Sequence, residues 1–260
     1  MTTTAPVSGT IASIFRHPVK GLTPEAMGSM ELAKGDYFPN DRRWAVEVGP
    51  SGFDPAAPRW VSKMKFAVLA RFPELARLKT RLDDATGVFH IGDAHGFGIG
   101  VRLDEEAGRA ALARFLHAFI GETDAQLKVL TAPDGHRFMD NNQAGKVSVI
   151  NMASVRAVAA AIGREIDPLR FRANIYVDGW EPWAEDGLEA GDRLALGGAA
   201  VKVNKPIERC VATHVNLDSG VRDIDMVNEL RERFGRITLG TYVSVVEGGR
   251  ADVGDRAGTP

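Results

Sequence analysis

The chain has 260 residues, 44% hydrophobic and 25% charged, which are ordinary values for a folded protein with room for one large or two modest domains. A formal net charge of −2 argues against a general nucleic-acid or membrane-surface binder, so any anion site must be local. One cysteine, Cys210, excludes an internal disulfide, a zinc cage and an iron–sulfur cluster. The first nine residues carry neither a basic nor an apolar segment of a secretory signal, and no apolar run approaches the roughly 20 residues that span a bilayer. With so little cysteine, the expectation is a soluble, cytoplasmic protein.

Most of the chain patterns as short strands between turn residues: 10–15, 43–48, 126–130, 147–150, 174–177, 193–196 and 242–246. Gly197-Gly198 and Gly248-Gly249 lie between such runs and predict tight hairpins. A helix is expected over 104–119, with Asp104 as N-cap and Gly121 just past the end; Leu112, Phe115, Leu116 and Phe119 form its core face. Ser154 would cap a second helix ended by Gly163, and a third runs from about Asp225 to Phe234, closed by Gly235. The polar stretch 131–145 suggests a division near residues 125–145. The fold class is mostly β, of the α+β kind, with few helices.

Gly96-Phe-Gly-Ile-Gly100 runs into Val101-Arg-Leu103 rather than opening a helix, so it fits a bulge or sheet crossing better than a phosphate loop. The six histidines form no His-x-His or His-x-x-x-His pair, which leaves a histidine metal site unsupported. Cys210 sits in Lys205-Pro-Ile-Glu-Arg-Cys210-Val-Ala-Thr213, where it is a structural thiol, a nucleophile or a single metal–thiolate ligand. Lys205 and Arg209 beside it would favour the thiolate. His214 would share a face with Cys210 if this segment were a regular strand. Basic residues recur at strand–loop junctions: Lys20-Gly21, Arg42-Arg43, Arg170-Phe-Arg172, and Lys205 with Arg209. Arginine forks suit phosphate, and Asn174, two residues beyond Arg172 in the same predicted strand, would add an amide on the same face.

His17-Pro-Val-Lys20-Gly21, Asn40-Asp-Arg42-Arg43-Trp44, Phe171-Arg172-Ala-Asn174-Ile175, Ala184-Glu185-Asp186, Arg209-Cys210-x-x-Thr213, Asp218-Ser-Gly220 and Leu239-Gly240-Thr-Tyr242 form an ordered set. That set resembles the MOSC superfamily, in particular two-domain proteins related to the mitochondrial amidoxime-reducing component. The resemblance implies an N-terminal MOSC-type β-barrel region over 1–125 packed on a MOSC β-barrel domain over 126–260, with a soft, interleaved boundary. It implies a molybdenum cofactor, a molybdopterin, in the cleft between them. Cys210 falls on the metal-ligand position, which implies that it is the catalytic centre. Lys20, Gly21, Arg42, Asn151, Arg172, Asn174, Arg209 and Tyr242 fall on or near cofactor contacts.

The resemblance further implies an oxidoreductase that reduces small N-hydroxylated substrates, such as amidoximes, hydroxylamines and N-hydroxylated bases, to the N–H compounds and water. Electrons would come from a separate reductase or small electron carrier. The alternative is a cofactor carrier or sulfur-transfer protein working through a Cys210 persulfide. Two departures stand out. Gly21 replaces a serine of the mitochondrial relatives, at the cost of a hydroxyl contact, and Asn216-Leu-Asp218-Ser-Gly220 replaces their loop at the expected rim of the site. With no cysteine besides Cys210, the chain is expected to lack an iron–sulfur relay of its own.

Overall fold

The computed structural model describes residues 6–121, 124–140 and 146–260. Residues 1–5 of the N-terminal stretch and 141–145 of the predicted polar loop lie outside the described residues. In chain order the elements are β1 (Ser8–Arg16), β2 (Glu25–Met27), β3 (Ser29–Leu32), β4 (Trp44–Val48), β5 (Lys79–Leu82), β6 (Val88–Gly92), β7 (Gly98–Arg102), α1 (Glu106–Ile120) and β8 (Leu127–Thr131). There follow β9 (Val147–Asn151), α2 (Met152–Ile162), β10 (Ile175–Asp178), β11 (Arg193–Leu196), β12 (Ala199–Glu208), α3 (Met226–Phe234), β13 (Thr238–Glu247), β14 (Gly249–Asp252) and β15 (Arg256–Gly258). The protein is mostly β, with three α-helices among the described residues.

Strands β10, β9, β13, β12, β11, β15 and β1 follow one another in one sheet, and β1 pairs back onto β10, which closes a seven-stranded barrel. Closure leaves none of these strands with two open edges, the usual solution to the exposed-edge problem. β2 continues the sheet beyond β1. Alternating apolar positions fill the interior, among them Ile11, Ile14, Val149, Ile175, Leu194, Val201, Val243 and Ala257. A second core gathers Val46, Leu75, Phe89, Leu103 and Leu116 beneath α1, the β4–β8 pair and the β5–β6–β7 sheet. α2 and α3 cover the outside of the barrel around Tyr176 and Leu230.

The two halves of the chain exchange strands. β1 belongs to the barrel built from the C-terminal half, β3 pairs with β14, and β8 pairs back with β4. A buried ion pair, Arg16 with Glu25, ties the barrel to the smaller sheet, because the Glu25 carboxylate also accepts from Leu82 N–H at 2.6 Å.

Several local expectations need correction. Leu196 and Ala199 pair across Gly197-Gly198 as a hairpin, but Gly248-Gly249 is a crossing: β14 leaves β13 to pair with β3. Asp104 does not cap α1; its carboxylate pairs with Arg102, and Glu105 takes the cap position without a side-chain bond. Asn151, not Ser154, caps α2, while the Ser154 hydroxyl donates to Glu185 at 2.8 Å. Asp225 and Gly235 bound α3 as expected. Gly98–Arg102 is an ordinary strand paired with β6, in keeping with the rejection of a phosphate loop.

Candidate functional site

Cys210 lies two residues past the end of β12 and takes the cap position of a short 3-10 turn over Val211–His214. The Thr213 N–H and hydroxyl both donate to the Cys210 carbonyl, at 2.9 and 2.8 Å, which fixes the cysteine backbone and gives the Cys-x-x-Thr spacing its reason. The thiol is half-buried and makes no capping bond. It faces a cavity of about 230 Å³ lined by Lys20, Gly21, Arg42, Arg172, Arg209, Cys210 and Tyr242, as well as Lys63, Asp140, Ser148, Arg170, Lys205 and Glu208. Val68, Leu69, Ala70, Met139, Ile207 and Ala212 give it an apolar wall. The cavity lies between the two regions: Lys20, Arg42 and Lys63 come from the N-terminal part, and Arg172, Arg209, Cys210 and Tyr242 from the C-terminal part.

Seven cationic side chains line it against two carboxylates, so its field is strongly positive in a chain that is nearly neutral overall. Lys20 is buried; its ammonium donates to the Phe138 carbonyl at 2.9 Å and pairs with Asp140. Burial pulls its pKa below the ordinary lysine value, and the Asp140 carboxylate offsets this only in part. Asp140 itself, which burial alone would push up, is held well below the usual carboxylate range by Lys20 and Lys63. Lys63 lies 3.6 Å from Asp140 and also meets the Cys210 side chain; these two partners outweigh its desolvation and raise its pKa.

Arg42 and Arg172 both sit at positive φ, 49° and 53°, in a left-handed conformation that costs energy for any residue with a Cβ and often marks function. Arg42 is held by Asp41 and donates to the Arg172 carbonyl at 3.0 Å. Arg172 donates to Leu22 O at 2.7 Å. Burial and the like charge of Arg42 bring the Arg172 pKa down to about 10. Arg172 feels the positive charge of Arg42, and the space that both line favours an anion.

Asp41 is the residue that fixes this pair. It is 1% exposed, accepts the His17 N–H at 2.7 Å and grips Arg42. His17 is fully buried and its pKa falls to about 3, chiefly through desolvation and then Arg42, so its ring is neutral. Burial would raise Asp41, but Arg42 and the His17 hydrogen bond win and hold it far below its ordinary 3.8. A carboxyl depressed in the folded state adds stability that is complete above its unfolded pKa and is lost as pH falls through the folded one. Asp41→Asn is therefore expected to cost about 2 kcal/mol at neutral pH. It should also flatten the loss of stability below about pH 4, which denaturant melts of both proteins from pH 7 to 3 would measure.

Other predicted residues lie elsewhere or act differently. Asn151 does not line the cavity. Its carbonyl oxygen accepts from Ala153 N–H, and its amide donates to Glu181 O and Glu185 at 2.7 and 2.9 Å. Asn174 stands one layer behind the cavity, accepting from the Ser148 N–H and hydroxyl at 3.1 and 2.8 Å. It does not share a strand face with Arg172, because Arg172 closes a 3-10 turn at positive φ before β10 begins. Arg209 reaches the cavity, yet it spends its N–H groups on the carbonyls of Leu239 and Phe171 and stacks over Phe171. It clamps two chain segments, and the nearby Cys210 side chain acts on the charge of both Lys63 and Arg209. His214 ends the 3-10 turn and faces Asp225 at 3.3 Å. The loop at Asn216 does not reach the cavity; Gly220 packs on Pro73 and Glu74.

Among the described residues no three His, Cys, Asp or Glu side chains are grouped to hold a metal ion, and no helix is long and apolar enough to cross a membrane.

A 97-residue stretch, 37% of the chain, is 32% identical to a molybdenum cofactor sulfurase of Drosophila grimshawi, and it spans 12% of that relative's length. Among solved structures, the YUAD protein from Bacillus subtilis aligns over 98% of this chain and 96% of its own, at 14% identity and a TM-score of 0.47. YiiM from Geobacillus stearothermophilus aligns over 46% and 56%, at 18% identity and a TM-score of 0.35. Both scores are too low to carry a structural argument. Two family models match in succession, the MOSC N-terminal beta barrel domain over residues 8–125 and the MOSC domain over 134–257. With the closed barrel and the strands exchanged between its halves, they place this chain in the MOSC family, as an N-terminal MOSC barrel domain followed by a MOSC domain.

Proposed function

We propose that this protein is a molybdenum-cofactor-dependent oxidoreductase that reduces N-hydroxylated compounds. The reading rests on one observation: a single half-buried thiol opens into a cavity lined by seven cationic side chains. The donor set suits such a cofactor. Among the described residues no cluster of ligands joins the Cys210 thiolate, so a metal held here would bring its remaining ligands on a group of its own, which the cationic lining requires to be anionic. Cys210 would ligate the metal, while Lys20 and the Arg42–Arg172 pair would meet the phosphate and the pterin. Tyr242 lines the cavity with a phenolic hydroxyl able to donate.

When bound, the cofactor supplies two-electron removal of oxygen from nitrogen. The overall change is an N–OH group plus two electrons and two protons, giving N–H and water, with the electrons from a separate reductase or small carrier. The chain's own residues position the anion, hold the thiol at the cavity and present an apolar wall at Val68–Ala70 for the carbon part of a substrate. The resemblance to relatives of the mitochondrial amidoxime-reducing component supports the substrate class.

The likeness to a cofactor sulfurase favours a second reading, in which Cys210 carries sulfur as a persulfide. Protein made in a cofactor-producing host decides between them. The oxidoreductase reading expects close to one molybdenum per chain and conversion of an aryl amidoxime to the amidine with a chemically reduced dye. Metal-free protein whose intact mass shows an extra sulfur on Cys210 would establish the carrier reading instead.

A further inference from the structure

We propose that Asp140 is an internal counter-anion, which occupies the phosphate subsite of the cavity and swings out when a phosphate group enters. The inference rests on the anion reading of the cavity given above. Its basis is an asymmetry of exposure. Lys20 is only 5% exposed at its side chain, whereas Asp140 is 46% exposed. The ammonium cannot retreat to water, so its counter-ion has to come to it; the carboxylate reaches in from the mouth and can return to solvent.

The two Asp140 oxygens divide between two cations, Oδ1 on Lys20 and Oδ2 on Lys63 at 3.6 Å, in the manner of two phosphate oxygens. Trp60 Nε1–H donates to the Asp140 carbonyl at 2.9 Å, which holds the backbone while the side chain is free to rotate. Arg42 and Arg172 flank the same space. A phosphate monoester brings more charge and more acceptor oxygens than a carboxylate, so it displaces Asp140. The carboxylate thereby offsets the repulsion among the cavity cations before the cofactor arrives and reduces capture of weaker anions. The cost is a lower apparent affinity, because the competent, open state is only a fraction of the population.

The test titrates inorganic phosphate by calorimetry, at fixed ionic strength, into protein from a host that cannot make the cofactor. Asp140→Asn is expected to bind phosphate about tenfold more tightly than wild type, and Lys20→Met added to that variant should abolish the gain. Protein from a cofactor-producing host should retain more molybdopterin in Asp140→Asn than in wild type after dialysis. Asp140→Ser serves as a second variant should the asparagine disturb folding. Equal or weaker phosphate binding in both Asp140 variants, with binding still lost in Lys20→Met, overturns the counter-anion role and leaves the anion cavity intact. No phosphate binding in any variant, with no molybdenum in protein from the cofactor-producing host, overturns both.

Discussion

Cys210→Ser is expected to lower bound molybdenum at least about tenfold in protein made by a cofactor-producing host, and to remove N-reductive activity with it. A serine hydroxyl stays protonated where a thiolate forms, and it is a hard donor where the metal calls for a soft one. Folding should be spared. Sγ serves as no cap acceptor, and the bonds that shape the turn run to the Cys210 carbonyl, which serine retains. Elemental mass spectrometry beside a thermal melt separates the two effects. A variant that keeps full metal and full activity would remove Cys210 from the site.

Gly21→Ser is expected to destabilise the protein by about 4 kcal/mol, read as a fall in melting temperature of about 10 °C. Serine is the residue that the resemblance to the mitochondrial proteins would put here, yet this backbone has no place for it. Gly21 has φ +88°, and a Cβ there would lie 2.1 Å from the Ala67 carbonyl oxygen and 2.9 Å from Val68 Cα. Both obstacles are main chain, so relief requires moving Lys20 or the wall of the cavity. Gly35→Ala is the control, since Gly35 also has positive φ but nothing within 4 Å. It should cost about 1–2 kcal/mol. A hydroxyl contact from residue 21 is thus excluded by its close approach to residues 67–68.

Much of the barrel was legible because period-two alternation of Val, Ile and Leu is a local signal. The runs at 10–15, 147–150, 174–177 and 193–196 all lie in barrel strands or overlap them by all but a residue. Cys210 was legible because it is alone, and Lys20, Arg42 and Arg172 because cations at strand–loop junctions suit an anion. The failures share a cause: they depended on backbone geometry that breaks the local repeat. Arg172 at φ 53° severed the face it was expected to share with Asn174. The 3-10 turn after Cys210 did the same to His214. Arg209 was read by its charge, but the open carbonyls of Leu239 and Phe171, distant in sequence, claimed it. Lys63 went unnoticed in an irregular stretch, although Ser62-Lys-Met-Lys65 is a basic pair just before the apolar run at 66–70. Asp41 lay inside a motif already quoted, with nothing in its spacing to say that it would hold Arg42.

The strand that closes the barrel is the first to be made. During synthesis β1 and its neighbour β2 emerge long before the strands that close the barrel on β1, β10 near residue 175 and β15 near residue 257. Until Gly258 leaves the ribosome, β1 offers an unpaired edge to the crowded cell, and Cys210 and the cavity cations cannot settle around a closed wall. Pairings this distant in sequence fold slowly and leave sticky intermediates. Formation of the cavity is thereby delayed until β15 has been made, and the nascent protein is at its most vulnerable while β1 waits.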